Sequence, residues 1–261
     1  PAAEPSVLDI LVPQPAPLSA KERPLLNFSP QAELLIVADD HDLSNAIQKA
    51  LSDRNVEGRV VSWSETDNIA SGQCPAGVLF VYPATPQLPA VSLLARAISL
   101  LARLAPQLHT SSSGDRLVAA VTRLGGEFGL SASTEHQLQA ESACLSGLVK
   151  SVAVEWPDTS CKVVDLSASV PDTAALTREL VDELLHRGPL EVGLIDNSRV
   201  ELAMVPWSFP PSQPRRPKSG KPLVLLTGGG RGITASVALE IAKREPCTAV
   251  LLGRTNIDVR E

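Results

Sequence analysis

Aromatic side chains are scarce in this 261-residue chain, where four Phe, three Trp and one Tyr make up 3% of the residues. Hydrophobic residues still reach 44%, which is enough to bury one large core or two moderate ones. Such cores must be built from Leu, Val, Ala and Ile. The single tyrosine, Tyr82, also restricts any chemistry that needs a phenol.

Clustered metal ligands, paired cysteines and excess positive charge are missing as well. The four cysteines form no Cys-x-x-Cys pair and the four histidines no His-Glu-x-x-His motif, so we predict free thiols and no metal site. A net charge of −6 disfavours broad nucleic-acid binding. The longest apolar stretch, residues 90–105, is interrupted by charges and too short for a bilayer. We therefore expect a cytoplasmic protein without a membrane segment.

Glycine, in contrast, is concentrated in one turn, in the sequence KPLVLLTGGGRGIT at residues 221–234. The apolar run 222–226 predicts a buried parallel strand, and residues 248–252 predict a second one. Residues 233–244 between them have helical spacing, with Val237, Ala238, Ile241 and Ala242 predicted to face inward. Such a strand–turn–helix–strand unit brings backbone N–H groups and a helix N-terminus to a pyrophosphate. A structural glycine turn without a ligand is the alternative.

A basic residue follows the second strand of this unit. Arg254 lies where the adenosine ribose of a dinucleotide would bind, and an arginine there suits the 2′-phosphate of NADP, whereas an acidic residue suits NAD.

Residues 33–205 alternate short apolar runs with helical patterns of 10 to 16 residues, which predicts a parallel sheet covered on both faces. We predict that Asp42 caps the first helix and that the helix starting at Ala90 ends before Pro106. The first turn of this region, residues 38–42, has no glycine and three aspartates. Because carboxylates repel a pyrophosphate, we predict that this region binds no dinucleotide.

Four segments follow from these patterns. Residues 1–31 are a proline-rich linker that could include an edge strand at 7–12, and residues 32–206 are a Rossmann-like domain. Residues 207–220 are a proline-rich connector. We predict that residues 221–261 begin an NADP-binding fold.

The sequence TGGGRGIT at 227–234, with LGRT at 252–255, resembles the TGxxxGxG fingerprint of short-chain dehydrogenases/reductases. It looks most like the ketoreductase domains of polyketide synthases and polyunsaturated-fatty-acid synthases, although Thr234 stands at the last glycine of the fingerprint. The segments RLGGEFGL (123–130), LSGLVKSVAVEWP (145–157) and KVVDL (162–166) resemble landmarks of the cofactor-free structural subdomain in those reductases. The resemblance covers roughly residues 33–255.

This resemblance implies an NADPH-dependent reductase of β-ketoacyl chains tethered by phosphopantetheine to an acyl carrier protein, among neighbouring synthase domains. It implies that the pyrophosphate is held by Thr227, Gly228, Gly230, Arg231, Gly232 and Ile233. It implies that Arg254 and Thr255 hold the 2′-phosphate and that Gly253 beside them also contacts the cofactor.

The catalytic residues of this family are not found in the sequence. Ketone reduction in the family uses a tyrosine, a lysine four residues later and a serine, but Tyr82 is followed at that spacing by Pro86. We assign no catalytic residue and expect the chain alone to be inactive, completed by a missing C-terminal half. Two alternatives remain: a non-catalytic pseudo-reductase scaffold that braces synthase domains, and a free-standing dehydrogenase of a small alcohol. The long region ahead of the fingerprint disfavours the second alternative.

Overall fold

The computed structural model describes residues 10–18, 22–30, 32–69, 75–110, 114–130, 140–167, 174–195, 198–207, 221–228 and 231–253. The chain divides into two compact units, Pro1–Trp207 and Ser208–Glu261.

The first unit is built on a mixed sheet of eight strands. They are β1 (Leu11–Pro17), β2 (Glu33–Val37), β3 (Glu57–Val61), β4 (Gly77–Val81), β5 (Leu117–Thr122), β6 (Ser160–Leu166), β7 (Glu191–Ile195) and β8 (Ser198–Pro206). Their order is β1-β8-β7-β6-β5-β4-β2-β3, in which β2 to β7 are parallel, and β8 and β1 are antiparallel to their neighbours. The predicted Rossmann-like α/β class is confirmed.

Helices cover both faces of this sheet. They are α1 (His41–Ser52), α2 (Ala90–Thr110), α3 (Ala143–Glu155) and α4 (Ala174–Leu185), with 3-10 turns at Trp63–Asn68 and Ala140–Ser142. A hydrophobic core lies on each face of the sheet. Successive residues of β2 belong alternately to these two cores, as the two-residue period of a strand requires. Leu34 and Ile36 join the core that contains α1 and α4, and Leu35 and Val37 join the core that contains α2 and α3.

Two helix termini differ from the predictions. Asp40, not Asp42, caps α1, because its carboxylate accepts the Leu43 N–H at 3.2 Å. The helix α2 continues through Pro106 to Thr110. Pro106 itself is exposed, and the burial of Leu104 and Leu108 on either side of it offsets the hydrogen bond that the proline cannot donate.

The apolar character of α2 is explained by its position. By length and composition, Ala90–Leu108 is the one helical stretch in the described residues that could cross a membrane. However, Leu93, Ala97, Leu100 and Leu104 of this stretch are buried against the sheet. A core helix passes the same test, so this stretch is weak evidence for a membrane span.

The predicted linker at the N-terminus is wrong for the residues that the structure describes there. The strand β1 spans Leu11–Pro17 and pairs along its whole length with β8, so the predicted edge strand overlaps it at residues 11–12, and residues 7–9 lie outside the described residues. Leu26 is buried, and its N–H donates to the Leu185 carbonyl at 2.7 Å. This segment is therefore part of the first unit.

Prolines at every second position of β1 determine which hydrogen bonds the outer edge of this strand can make. Hydrogen bonds from Leu18 N–H to Arg199 and from Trp207 N–H to Ile10 show that even-numbered residues of this segment face β8. The odd-numbered Pro13, Pro15 and Pro17 therefore face outward, where no ladder partner needs an N–H. The outer edge of β1 lacks these donors and is a poor template for another strand.

The second unit contains β9 (Leu223–Thr227), α5 (Gly232–Arg244) and β10 (Thr248–Leu252), with β9 and β10 parallel. These bounds agree closely with the predicted strand–helix–strand unit. The predicted inward face of α5 is only half right, since Ala238 and Ile241 are half-buried but Val237 and Ala242 are exposed. Two described strands present a narrow surface that covers only one stripe of the helix.

Candidate dinucleotide-binding site

Two glycines shape the turn between β9 and α5. Gly228 directly follows β9 with a φ of 103°, and its N–H donates to the Leu252 carbonyl at 2.9 Å. Gly232 begins α5 with a φ of 57°. Positive φ at both positions is a backbone state that glycine adopts without cost. The conformation of the turn thus explains why glycine stands at these two points.

The N-terminus of α5 can receive an anion. Arg231 occupies the N-cap position in an extended conformation and makes no side-chain cap hydrogen bond, and the first turn contains no acidic residue. The first N–H groups of a helix have no partner within the helix, and the helix dipole makes this end positive. An anionic group is therefore favoured here, and among the described residues nothing lies within 4 Å of a Cβ built on Gly232.

The parallel register brings the other predicted residues to the same edge. Thr227 pairs with Leu252, so Gly228 and Gly253 both follow the carboxyl ends of their strands. Ligands of open α/β sheets bind at this edge. Ile233, in the first turn of α5, is 85% exposed. Gly230, Arg254 and Thr255 lie outside the described residues, and their predicted contacts stay predictions.

Thr234 lies close to the start of the turn on the helix side. A Cβ built on Gly228 would lie 3.0 Å from Thr234 Oγ1, 3.8 Å from its Cβ and 3.9 Å from its Cγ2. The hydroxyl is thus the nearest part of this side chain. Sequence reasoning identified Thr234 only as a departure from a glycine and did not predict this proximity.

The corresponding turn of the first unit has the opposite chemistry. Asp39 accepts the Trp63 N–H at 2.9 Å, and Asp40 caps α1, so both carboxylates stabilise the local fold. The turn also lines a cleft of about 420 Å³ together with Pro83 and Thr85. A phosphate entering this cleft would meet carboxylates at the position where α5 has no acidic group. That this unit binds no dinucleotide stays a prediction.

A buried carboxylate joins two of the sequence landmarks. Asp165, at the end of β6, is fully buried and accepts the Leu124 N–H at 2.6 Å, the Phe128 N–H at 2.9 Å and the Thr122 hydroxyl at 2.8 Å. Burial raises the pKa of Asp165, against the lowering effect of these hydrogen bonds. The 123–130 turn is therefore held by a residue of the 162–166 strand, which the sequence landmarks alone did not reveal.

A second buried carboxylate fixes the N-terminal segment. Glu183 of α4 accepts two hydrogen bonds from Arg23, both of 2.6 Å, and one of 2.9 Å from Lys162 of β6. Arg199 of β8 lies at 3.3 Å. Burial of the Glu183 carboxyl opposes its ionisation, but the hydrogen bond from Arg23 and the charge of Lys162 outweigh burial and lower its pKa. This cluster was missed, and the lysine within the apolar run CKVVDL was the available signal.

Other reactive groups are dispersed. Within the described residues, no group of three or more His, Cys, Asp and Glu side chains could hold a metal ion, and Cys144, Cys161 and Cys247 are free. Tyr82 is 1% exposed, and burial raises the pKa of its phenol.

Together these elements define a Rossmann-type α/β protein, in which a doubly wound sheet with an acidic first turn precedes a strand–glycine turn–helix–strand unit. Solved structures of assembly-line ketoreductases share this fold. An adenylation, ketoreductase and pseudo-Asub multidomain structure of a keto acid-selecting NRPS module is similar at 17% identity and a TM-score of 0.63, over 96% of this chain and 23% of that one. A C2-type ketoreductase from a modular polyketide synthase is similar at 17% identity and a TM-score of 0.60, over 92% of this chain and 52% of that one.

A third structure, an N-terminal ketoreductase from the macrolactin assembly line, is similar at 13% identity and a TM-score of 0.59, over 96% of this chain and 54% of that one. This chain therefore spans about half the length of two of these structures and about a quarter of the other. No protein-family profile and no curated protein sequence matches it.

Proposed function

We propose that this chain is the N-terminal part of an NADPH-dependent β-ketoacyl reductase domain of a multidomain polyketide or polyunsaturated-fatty-acid synthase. The observation that carries the proposal is the N-terminus of α5, which has neither a side-chain cap nor an acidic residue in its first turn and follows Gly228. The helix α3 also lacks a side-chain cap and an acidic first turn, so the glycines at positive φ, Gly228 and Gly232, are what distinguish α5 as a place for an anion. The fold shared with assembly-line ketoreductases supports the same reading.

NADPH would lie at the carboxyl edge of β9 and β10. The backbone of Thr227, Gly228, Gly230, Arg231, Gly232 and Ile233 would hold the pyrophosphate. The segment Gly253, Arg254 and Thr255 would hold the 2′-phosphate, where a guanidinium can make charge-assisted hydrogen bonds. The residues described at this edge fit a dianionic group, because none of them is acidic.

The first unit would have a structural role in this reductase. Its first turn carries Asp39 and Asp40 at the position where the second unit carries glycines, so the carboxylates exclude a second cofactor. Its N-terminal segment is tied to the sheet by β1 and by the Arg23–Glu183 pair. A rigid sheet of this kind can brace the cofactor unit and neighbouring synthase domains.

The reaction would reduce a β-ketoacyl thioester on an acyl carrier protein to the β-hydroxyacyl thioester. NADPH supplies the hydride when bound, and the alkoxide that forms needs a proton and hydrogen-bond donors. Tyr82 is the only tyrosine of this sequence and is buried among core side chains, so it does not reach a substrate. The proton donor would come from residues outside these 261, and the chain alone would not turn over.

Titration of the full-length synthase protein with NADPH tests this proposal against the pseudo-reductase scaffold. A reductase binds NADPH saturably, and Gly232→Asp abolishes binding because it places a carboxylate at the helix N-terminus. Leu239→Asp is the control, since it adds the same charge to an exposed position of α5. A wild-type protein that does not bind NADPH would support the scaffold. An equal loss of NADPH binding in both variants would show that the glycine turn is not part of the binding site.

A further inference from the structure

We propose that one face of the β1–β8 strand pair docks an amphipathic helix that the same synthase polypeptide supplies from outside these 261 residues. The docking rests on the proposed function only for the presence of that further polypeptide. It does not depend on cofactor binding.

The register of β1 and β8 separates their side chains by chemistry. The odd-numbered residues of β8 include Arg199, which donates to Glu183 of α4 at 3.3 Å, so these residues face α4. The even-numbered residues of β8 and the odd-numbered residues of β1 opposite them form the other face. All of them are uncharged and apolar, and we call them the β1–β8 apolar face. They are Leu11, Pro13, Pro15, Pro17, Val200, Leu202, Met204 and Pro206.

The β1–β8 apolar face is open to solvent. In the described part of the chain, neither hydrophobic core includes a residue of β1 or β8, so no helix covers this face in the way that α2 and α3 cover the neighbouring strands. Leu11 is 48% exposed and Met204 is 57% exposed, and Pro13, Pro17 and Pro206 are exposed as well. A contiguous apolar surface of this kind marks a site of interaction.

The dimensions and hydrogen-bonding capacity of the strand pair favour a helix as the occupant. The seven residues of β1 extend over about 23 Å, and a helix of about 15 residues has the same length. The width of two strands is close to the diameter of one helix, about 10 Å. A strand is disfavoured, because the prolines of β1 remove N–H donors from the outer edge. The helix must present an uncharged apolar stripe.

The lengths of the other segments and the size of the face indicate where this helix comes from. The longest undescribed stretches of the first unit, residues 1–9 and 131–139, have nine residues each, fewer than the face requires. A second copy is disfavoured, because a stable complex of free proteins uses about 20–30 residues per partner, and the face has eight. A tethered helix needs less contact, because its effective concentration is in the millimolar range.

Oxidation of Met204 by hydrogen peroxide in the purified full-length protein tests the docking. Met204 is the only methionine of these 261 residues, and peptide mass spectrometry measures its conversion to the sulfoxide. A docked helix covers the thioether. We expect oxidation about tenfold slower than in the urea-unfolded protein, because a millimolar effective concentration keeps even a weakly binding helix docked.

Two variants place the same charge on opposite faces of the strand pair. Leu11→Asp should raise the rate of Met204 oxidation to within about twofold of the unfolded protein, because docking would bury an unpaired carboxylate too short to reach water. Gln14→Asp is the matched control, because residue 14 belongs to the opposite face, and it should keep the wild-type rate. Both positions are exposed, so neither change removes a core side chain.

A photoreactive methionine analogue at position 204 identifies the occupant. Crosslinks to residues three or four apart, outside these 261 residues, are the expected result. Crosslinks to alternate residues of an extended segment, or to residues within the 261, overturn the proposal. Protection of Met204 that is lost on dilution by about a hundredfold also overturns it, because a tethered helix does not respond to protein concentration.

The outcomes separate this docking from the proposed function. Wild-type protein that binds NADPH but oxidises Met204 as fast as Leu11→Asp does overturns the docking alone. Wild-type protein that protects Met204 but does not bind NADPH overturns the proposed reductase activity and leaves the docking in place.

Discussion

Gly193 of β7 and Gly126 of the 123–130 turn touch so closely that an ideal Cβ on Gly193 would overlap the Gly126 carbonyl oxygen. Gly126 itself has a φ of 79°. The contact brings the turn down onto the carboxyl end of the sheet, beside the hydrogen bonds that Asp165 accepts. No side chain can occupy the contact without moving backbone.

Replacing Gly193 by Ala should therefore destabilise the chain by about 1–3 kcal/mol or more, the cost of inserting a methyl group into a packed site. Gly147→Ala is the matched control: Gly147 lies in α3, and a Cβ there meets nothing within 4 Å. Because alanine favours a helix interior, this variant should gain about 0.5–1 kcal/mol. Urea unfolding followed by circular dichroism measures both, and equal changes in the two variants would contradict the contact.

The stability of the chain at acid pH should depend on Glu183. Its pKa is lowered in the folded chain, so the folded state binds fewer protons here than the unfolded state below the ordinary value of 4.5. The stability that Glu183 contributes is present above that value and is lost as pH falls through the lowered pKa. Glu183→Gln should cost about 3–5 kcal/mol at neutral pH, because it leaves Lys162 and Arg23 without their carboxylate.

The same variant should also lose less further stability on acidification than wild type. Unfolding free energies between pH 6 and pH 3 measure this difference, with Glu155→Gln at an exposed position as the control. Parallel curves for wild type and Glu183→Gln would show that another carboxylate governs acid unfolding.

The prolines of β1 should keep the chain from associating through its sheet edge. Replacing Pro13, Pro15 and Pro17 together by Thr restores three N–H donors on the outer edge, and we expect dimers or larger species in light scattering. Gln14→Thr is the control, because residue 14 faces β8 and leaves the outer edge unchanged. A triple variant that stays at the wild-type mass would mean that the edge is protected by something other than proline.

Much of the fold was predictable because buried parallel strands are continuous apolar runs. The strand pair around the glycine turn agrees with the prediction, β10 at both ends. The missed features depend on distant partners. The edge strand β1 is rich in proline, which does not indicate a strand in the sequence. Its pairing with β8 accounts for the extended conformation. The continuation of α2 past Pro106 likewise depends on the core that receives Leu108.

The glycine turn was predicted from glycine spacing, and Gly228 and Gly232 both have positive φ there, while the binding of a cofactor at this turn stays a prediction. Spacing does not reveal which side chains lie near each other across a turn, so the proximity of Thr234 to Gly228 had no local signal. The inward placement of Val237 failed for a related reason. A helical pattern shows which residues share a face, but the width of the covering sheet decides how many of them are buried.

Cofactor preference tests the central claim most directly. Arg254→Asp in the full-length protein should weaken NADPH binding by about ten- to a hundredfold, the value of a charge-assisted phosphate contact, and weaken NADH binding much less. Arg244→Asp, at the exposed C-terminal end of α5, is the matched charge control and should leave both affinities unchanged. Dissociation constants for both cofactors decide the question: selective loss of NADPH binding is the predicted result, and equal loss for NADPH and NADH would contradict it.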